Sequence, residues 1–118
     1  MPQLIPAPAP IAVPGGKQID EYAGRVVSGD SRVSVAVMTA PAGWSEPAQQ
    51  PEFDEVTVVL SGEVVVEHSA GRLHVAAGQA VITRAGERVR FAVGPQGAHY
   101  VAVCAPAFDL ALAHRDPE

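Results

Sequence analysis

Valine outnumbers leucine by 18 to 5 in this chain, and its short valine-rich runs are cut at close intervals by glycine-centred turns. A β-branched side chain loses rotamer freedom in a helix and packs well on a pleated sheet. The residues therefore predict strands over Arg25–Val27, Val33–Thr39, Glu55–Leu60, Val64–His68, Leu73–Ala76, Ala80–Arg84, Arg88–Val93 and Tyr100–Ala105. Turn residues separate them at Ser28-Gly29-Asp30, Pro41-Ala42-Gly43, Ser61-Gly62, Ala70-Gly71, Ala77-Gly78, Ala85-Gly86 and Gly94-Pro95. Short strands at this spacing predict an all-β sandwich or barrel, with Val64–His68 and Leu73–Ala76 joined as a hairpin. Only Phe108 to Ala113 has room for a helical turn.

The 118 residues correspond to one domain, which we place at 17–118. Residues 1–16 form a Pro-rich N-terminal arm, with five of the eleven prolines between Pro2 and Gly16. Proline fixes φ and removes a backbone donor, so the arm reads as extended rather than as helix or central strand. It is either a loose tail or a segment docked on a second subunit, and Leu4, Ile5, Ile11 and Val13 favour docking.

Eight Lys and Arg against thirteen Asp and Glu leave a net charge of −5. That argues against nucleic acid as a partner, which calls for a basic face to displace phosphate counterions. It also argues against a polybasic membrane contact. The single cysteine, Cys104, rules out an intrachain disulfide and a Cys-rich zinc module. No run reaches the roughly 20 apolar residues of a membrane span, and the N-terminus has no basic segment ahead of an unbroken apolar one. The expectation is a cytoplasmic protein.

From Gly43 to Gly62 the spacing is Gly43, Gln49, Pro51, Glu55, Gly62. This resembles the first signature of the cupins, G-x5-H-x-H-x3-E-x6-G. Gly78 to Val93 resembles the second, G-x5-P-x-G-x2-H-x3-N, with Gly78 and Gly86 matched and with Arg84, Val89 and Val93 in place of proline, histidine and asparagine. Fifteen residues separate the two, as in small bacterial cupins. The segment from Tyr100 to Phe108, with His114-Arg115-Asp116, is similar to the ethanolamine-utilisation cupin group. The resemblance implies a double-stranded β-helix, or jelly roll, enclosing a cavity. It also implies a homodimer; cupins of this size often exchange N-terminal strands, and the sequence leaves open whether this arm lies on its own subunit or on the neighbour.

Cupins hold a divalent metal with three histidines and a glutamate, and at those positions this chain has Gln49, Pro51, Glu55 and Val89. One carboxylate and a neutral amide fall short of the roughly three protein ligands a catalytic metal needs. The expectation is therefore no metal and no other cofactor. None of His68, His74, His99 and His114 has metal-ligand spacing to another.

The resemblance implies that Glu55 points inward, and strand alternation then puts Thr57 and Val59 on its face; Val89, Phe91 and Val93 share the face of the family's second-signature histidine. The cavity is then expected to be apolar, with Glu55, Gln49 and Thr57 as its polar groups. Burial should raise the pKa of Glu55, which makes it a candidate acid and base. Equally, Arg84, Arg88 or Arg90 could neutralise it, while Glu52 and Asp54 add negative potential beside it. Gln49, Thr57, Phe91, Trp44, Tyr100 and Arg84 are the candidate ligand-binding residues. Trp44 serves either as a stacking lid or as packing against the arm or a partner, and Cys104 reads as a small buried hydrophobe.

Three functions fit these residues. The first is a metal-independent cupin that binds a small organic molecule, with or without proton transfer (isomerisation, cyclisation or elimination) by Glu55. The second is a metal-dependent cupin with a non-standard ligand set. The third is a structural or regulatory dimer with a filled barrel.

Overall fold

Alternation of buried and outward side chains sets the strands of the computed structural model, which describes residues 1–117. Strand β3 (Ser34–Ala40) buries Ser34, Ala36, Met38 and Ala40 and turns Val35, Val37 and Thr39 the other way. The other elements are β1 (Ala9–Ile11), β2 (Gln18–Ala23), β4 (Asp54–His68), β5 (Gly71–Ala76), β6 (Ala80–Thr83), β7 (Arg90–Ala105) and a short helix, α1 (Leu110–Ala113). Every strand pairing is antiparallel, in the order β1-β2-β3-β7-β4-β5, with β6 on β4. The architecture is all-β, as the turn spacing predicts, and is the jelly roll that the resemblance implies.

Two long strands replace four short ones. The expected strands Glu55–Leu60 and Val64–His68 are halves of β4, and Tyr100–Ala105 lies in the second half of β7. Residues 54–62 of β4 pair with 98–105 of β7, and residues 64–67 pair with 90–93. Ser61-Gly62 and Gly94-Pro95 are therefore strand irregularities and corners rather than hairpin turns. Gly62 shows why: its φ is 76°, and a Cβ there would run into the Gly97 carbonyl oxygen. Only glycine tolerates both the angle and the approach. The β4–β5 hairpin has the expected partners, from Glu63↔Ala76 to His68↔Gly71.

Arg25–Val27 is not a strand. The carboxylate of Glu21 accepts from the amides of Val26 (2.9 Å) and Val27 (2.8 Å), which holds the two valines in a turn. The strand in this region lies earlier, in β2. Part of the Pro-rich arm joins the sheet as its edge, where Ala9 faces Glu21 and Ile11 faces Ile19, and Ile11 and Val13 pack on the core. An edge strand accommodates proline because one of its sides needs no donors.

Residues 44–49 close the barrel against β7. Gln49 and Val89 exchange backbone hydrogen bonds of 2.8 and 2.9 Å, and the Val93 amide donates to the Trp44 carbonyl (2.9 Å). Asp109 caps α1 by accepting from the Ala111 amide (3.0 Å). Beyond α1 the chain turns back along this closing segment, with the Asp116 amide donating to the Ala48 carbonyl (2.8 Å). Among the described residues no helix is long and apolar enough to cross a membrane.

Candidate functional site

A cluster of ionisable groups lies inside the barrel. Alternation along β2 turns Ile19 and Glu21 inward, and Lys17, two residues earlier, shares their face. Glu55 comes in from β4, Phe91 and Tyr100 from β7, and Glu46 and Gln49 from the closing segment. Arg115 reaches in from the returning C-terminal stretch. With Met38, Ala36, Cys104 and Phe108 these side chains surround a cavity with a free volume of about 30 Å³, room for about two waters as it stands.

Glu55 is half-buried, and it lines this cavity. Thr57 donates its hydroxyl to one carboxylate oxygen (3.2 Å), and the Cys104 thiol points at the other (3.7 Å). Burial pushes the Glu55 pKa above its ordinary 4.5; the Lys17 charge opposes this and Glu46 adds to it. Cys104 is raised as well, by burial first and then by Glu55, so it stays a thiol. Burial likewise keeps the Tyr100 phenol protonated.

Lys17 is the only lysine of the chain. Its ammonium lies 4.4 Å from the centre of the Trp44 ring and 5.4 Å from that of Tyr100. Among the described residues it has no hydrogen-bond or ion-pair partner. Burial lowers its pKa, against the pull of the Glu46 and Glu55 carboxylates. Desolvation thus drives both Lys17 and Glu55 toward their neutral forms. Arg115 donates from Nη2 to Glu46 (3.0 Å) and to the side-chain oxygen of Gln49 (3.2 Å), while its buried Nε has no partner.

Of the candidates read from the sequence, Glu55, Gln49, Phe91 and Tyr100 line the cavity. Thr57 is fully buried and acts on it only through Glu55. Trp44 is buried at the floor of a neighbouring recess shared with Lys17 and the arm residues Val13 to Gly15, so it is not a lid at the mouth.

Arg84 does not belong to the site. Its side chain is 67% exposed and stands 3.7 Å from Asp54. The other expected partners of Glu55 are engaged elsewhere, Arg88 with Asp116 and Arg90 with Glu67. Glu52 is likewise turned to His114 at the surface. The charges that act on Glu55 are Lys17 and Glu46, and the mostly apolar lining carries more charged groups than expected. Periodicity hid Lys17: alternation is normally read with charged residues outward, and here Lys17, just before β2, and Glu21, within it, both face inward. Arg115 is brought in by the turn after α1, which carries no such signal.

The donor set does not suit a cupin metal. Pro51 and Val89 are buried and offer no ligand atom. None of the four histidines lines the cavity, and among the described residues no three His, Cys, Asp or Glu side chains are grouped to hold a cation. Arg115 already places positive charge there.

No protein-family model matches the chain. It is 46% identical over 102 residues to endoribonuclease YbeY of Myxococcus xanthus, a match covering 86% of this chain but only 35% of that protein. Among solved structures it is similar to the ethanolamine utilization protein Q of Salmonella typhimurium, with a TM-score of 0.66 and 22% identity over 78% of this chain and 71% of that one. Streptomyces Pac13, a nucleoside dehydratase seen with uridine, gives a TM-score of 0.76 at 14% identity, covering 97% and 88% of the two chains. KdgF from Halomonas gives 0.73 at 16% identity, covering 88% and 91%. The closed antiparallel barrel, the spacing of its glycine corners and these likenesses together identify the chain as a small domain of the cupin fold.

Proposed function

We propose that the chain is a metal-independent cupin that binds a small organic molecule in the barrel and moves a proton on it, with Glu55 as acid and base. The observation that carries this reading is a carboxyl group lining the cavity, held by Thr57 and Cys104 and biased by burial toward its protonated form. An acid poised in this way can give a proton to a leaving or carbonyl oxygen and take one from carbon. Tyr100, kept protonated by burial, and the amide nitrogen of Gln49, whose oxygen is occupied by Arg115, are the groups available to steady a developing oxyanion. Pac13 performs a dehydration on the same fold, and elimination is one of the proton-transfer reactions this site could run.

RNA cleavage stays with the longer Myxococcus protein, because a net charge of −5 and a cavity of this size do not suit a polynucleotide. A homodimer is part of the proposal. Val58, Leu60 and Ile82 are exposed on the outer face of β4 and β6, and a second copy would cover them.

Native mass spectrometry of the purified protein tests the reading. It should report twice the 12.2 kDa chain with an organic ligand and no stoichiometric metal. Stoichiometric iron, zinc, manganese or nickel would overturn the metal-free site. With the ligand so identified, Glu55→Gln should abolish its turnover while leaving it bound; unchanged turnover removes Glu55 from the chemistry.

A further inference from the structure

We infer that Lys17 is a nucleophilic amine that forms an imine with a small aldehyde or ketone in the barrel. The inference rests on the reading of the cavity as a metal-free ligand site and adds a substrate class to it. Three observations carry it. Lys17 lines the cavity, yet among the described residues its amine has no ion-pair or hydrogen-bond partner. Its Nζ stands against the rings of Trp44 and Tyr100, 4.4 and 5.4 Å from their centres. Glu55, which burial biases toward its protonated form, lines the same cavity as the lysine. An ordinary surface lysine is a hydrated cation with no lone pair to offer, whereas a desolvated one is the usual form of an imine-forming amine. The orphaned N–H of Arg115 Nε is a spare donor on the same lining.

The chemistry balances without a cofactor. The neutral amine gives its lone pair to the carbonyl carbon. As the C–N bond forms, the C=O π pair moves to oxygen, which takes the proton of Glu55. The new ammonium returns a proton to the Glu55 carboxylate. Glu55 then protonates the carbinolamine hydroxyl, water leaves, and the nitrogen lone pair closes the C=N bond as an iminium. The iminium acidifies the adjacent C–H, and the Glu55 carboxylate is the base left in place to remove that proton. The small free volume restricts the substrate to a few heavy atoms, with Lys17 and Met38 as the flexible members of the lining.

The test uses the wild-type chain with propanal and sodium cyanoborohydride near neutral pH, followed by peptide mass mapping. The chain carries two kinds of amine, Lys17 and the amino terminus. The α-amine has the lower ordinary pKa, about 7.7–8.0 against about 10.4, so an unremarkable buried lysine labels more slowly than the terminus. An activated Lys17 should gain its propyl group at least about tenfold faster than the terminus, and should lose that advantage in urea. Glu55→Gln should slow labelling of Lys17 by about a hundredfold and leave the terminus unchanged. Labelling of folded Lys17 no faster than the terminus, or a rate indifferent to Glu55→Gln, overturns the inference. A retained ligand with an unreactive Lys17 would sink the imine and keep the proton-transfer reading. A reactive Lys17 in a protein holding a stoichiometric metal would do the reverse.

Discussion

Arg115 ties the C-terminal stretch to the barrel through Glu46, and its removal has a calculable cost. The two side chains are only 18% and 7% exposed, so solvent screening is weak. Arg115→Met keeps most of the hydrocarbon stem and deletes the guanidinium. It leaves the Glu46 carboxylate and the Gln49 carbonyl buried without their donor. Breaking a buried pair from one side costs about 3–5 kcal/mol. The unpartnered Nε already weakens this pair, which places the expectation at about 3 kcal/mol, the low end of that range. Unfolding entropy of about 2.1 cal/mol/K per residue, over 118 residues, gives about 250 cal/mol/K, or about 4 °C per kcal/mol. Arg115→Met should therefore lower Tm by about 12 °C in a calorimetric scan. Adding Glu46→Gln removes the stranded charge, so the double variant should be less damaged than the sum of the two single changes, by about 1–3 kcal/mol. A Tm loss under about 4 °C, or additive single and double effects, would show that the pair is solvated and does not hold the barrel shut.

Glu55 gives a pH signature. Its folded pKa lies above 4.5, so its stabilisation is complete below that value and is lost as pH rises through the folded pKa. The Tm of Glu55→Gln minus that of wild type should grow as pH rises above 4.5, and a flat difference would mean that Glu55 is solvated. Gly62→Ala should cost more than about 3 kcal/mol, read from urea midpoints, because φ is 76° and the new methyl meets a backbone oxygen; a near-wild-type midpoint would show a looser strand corner. Arg84→Ala should change stability by under about 1 kcal/mol and leave ligand retention intact, since its pair with Asp54 is exposed; lost retention would return Arg84 to the site.

Valine runs and glycine turns are enough to read an all-β sandwich or barrel, while the cupin barrel and the inward direction of Glu55 and Phe91 rest on the resemblance carried by the two spaced segments, Gly43 to Gly62 and Gly78 to Val93. These are local properties: β-branching and strand alternation act between neighbours, so one chain displays them. Strand continuity is less legible, because a glycine that ends a strand and one that bends it look alike until the partner backbone, here Gly97 against Gly62, is in view. The ionic interior is the least legible. Lys17, Glu46 and Arg115 lie on three segments far apart in sequence, and each alone reads as an ordinary surface charge. Closure of the barrel brings them together around one cavity. Burial and charge coupling are properties of that enclosed space, so the fold class follows from the residue order, while the identity of the site follows only from the packing.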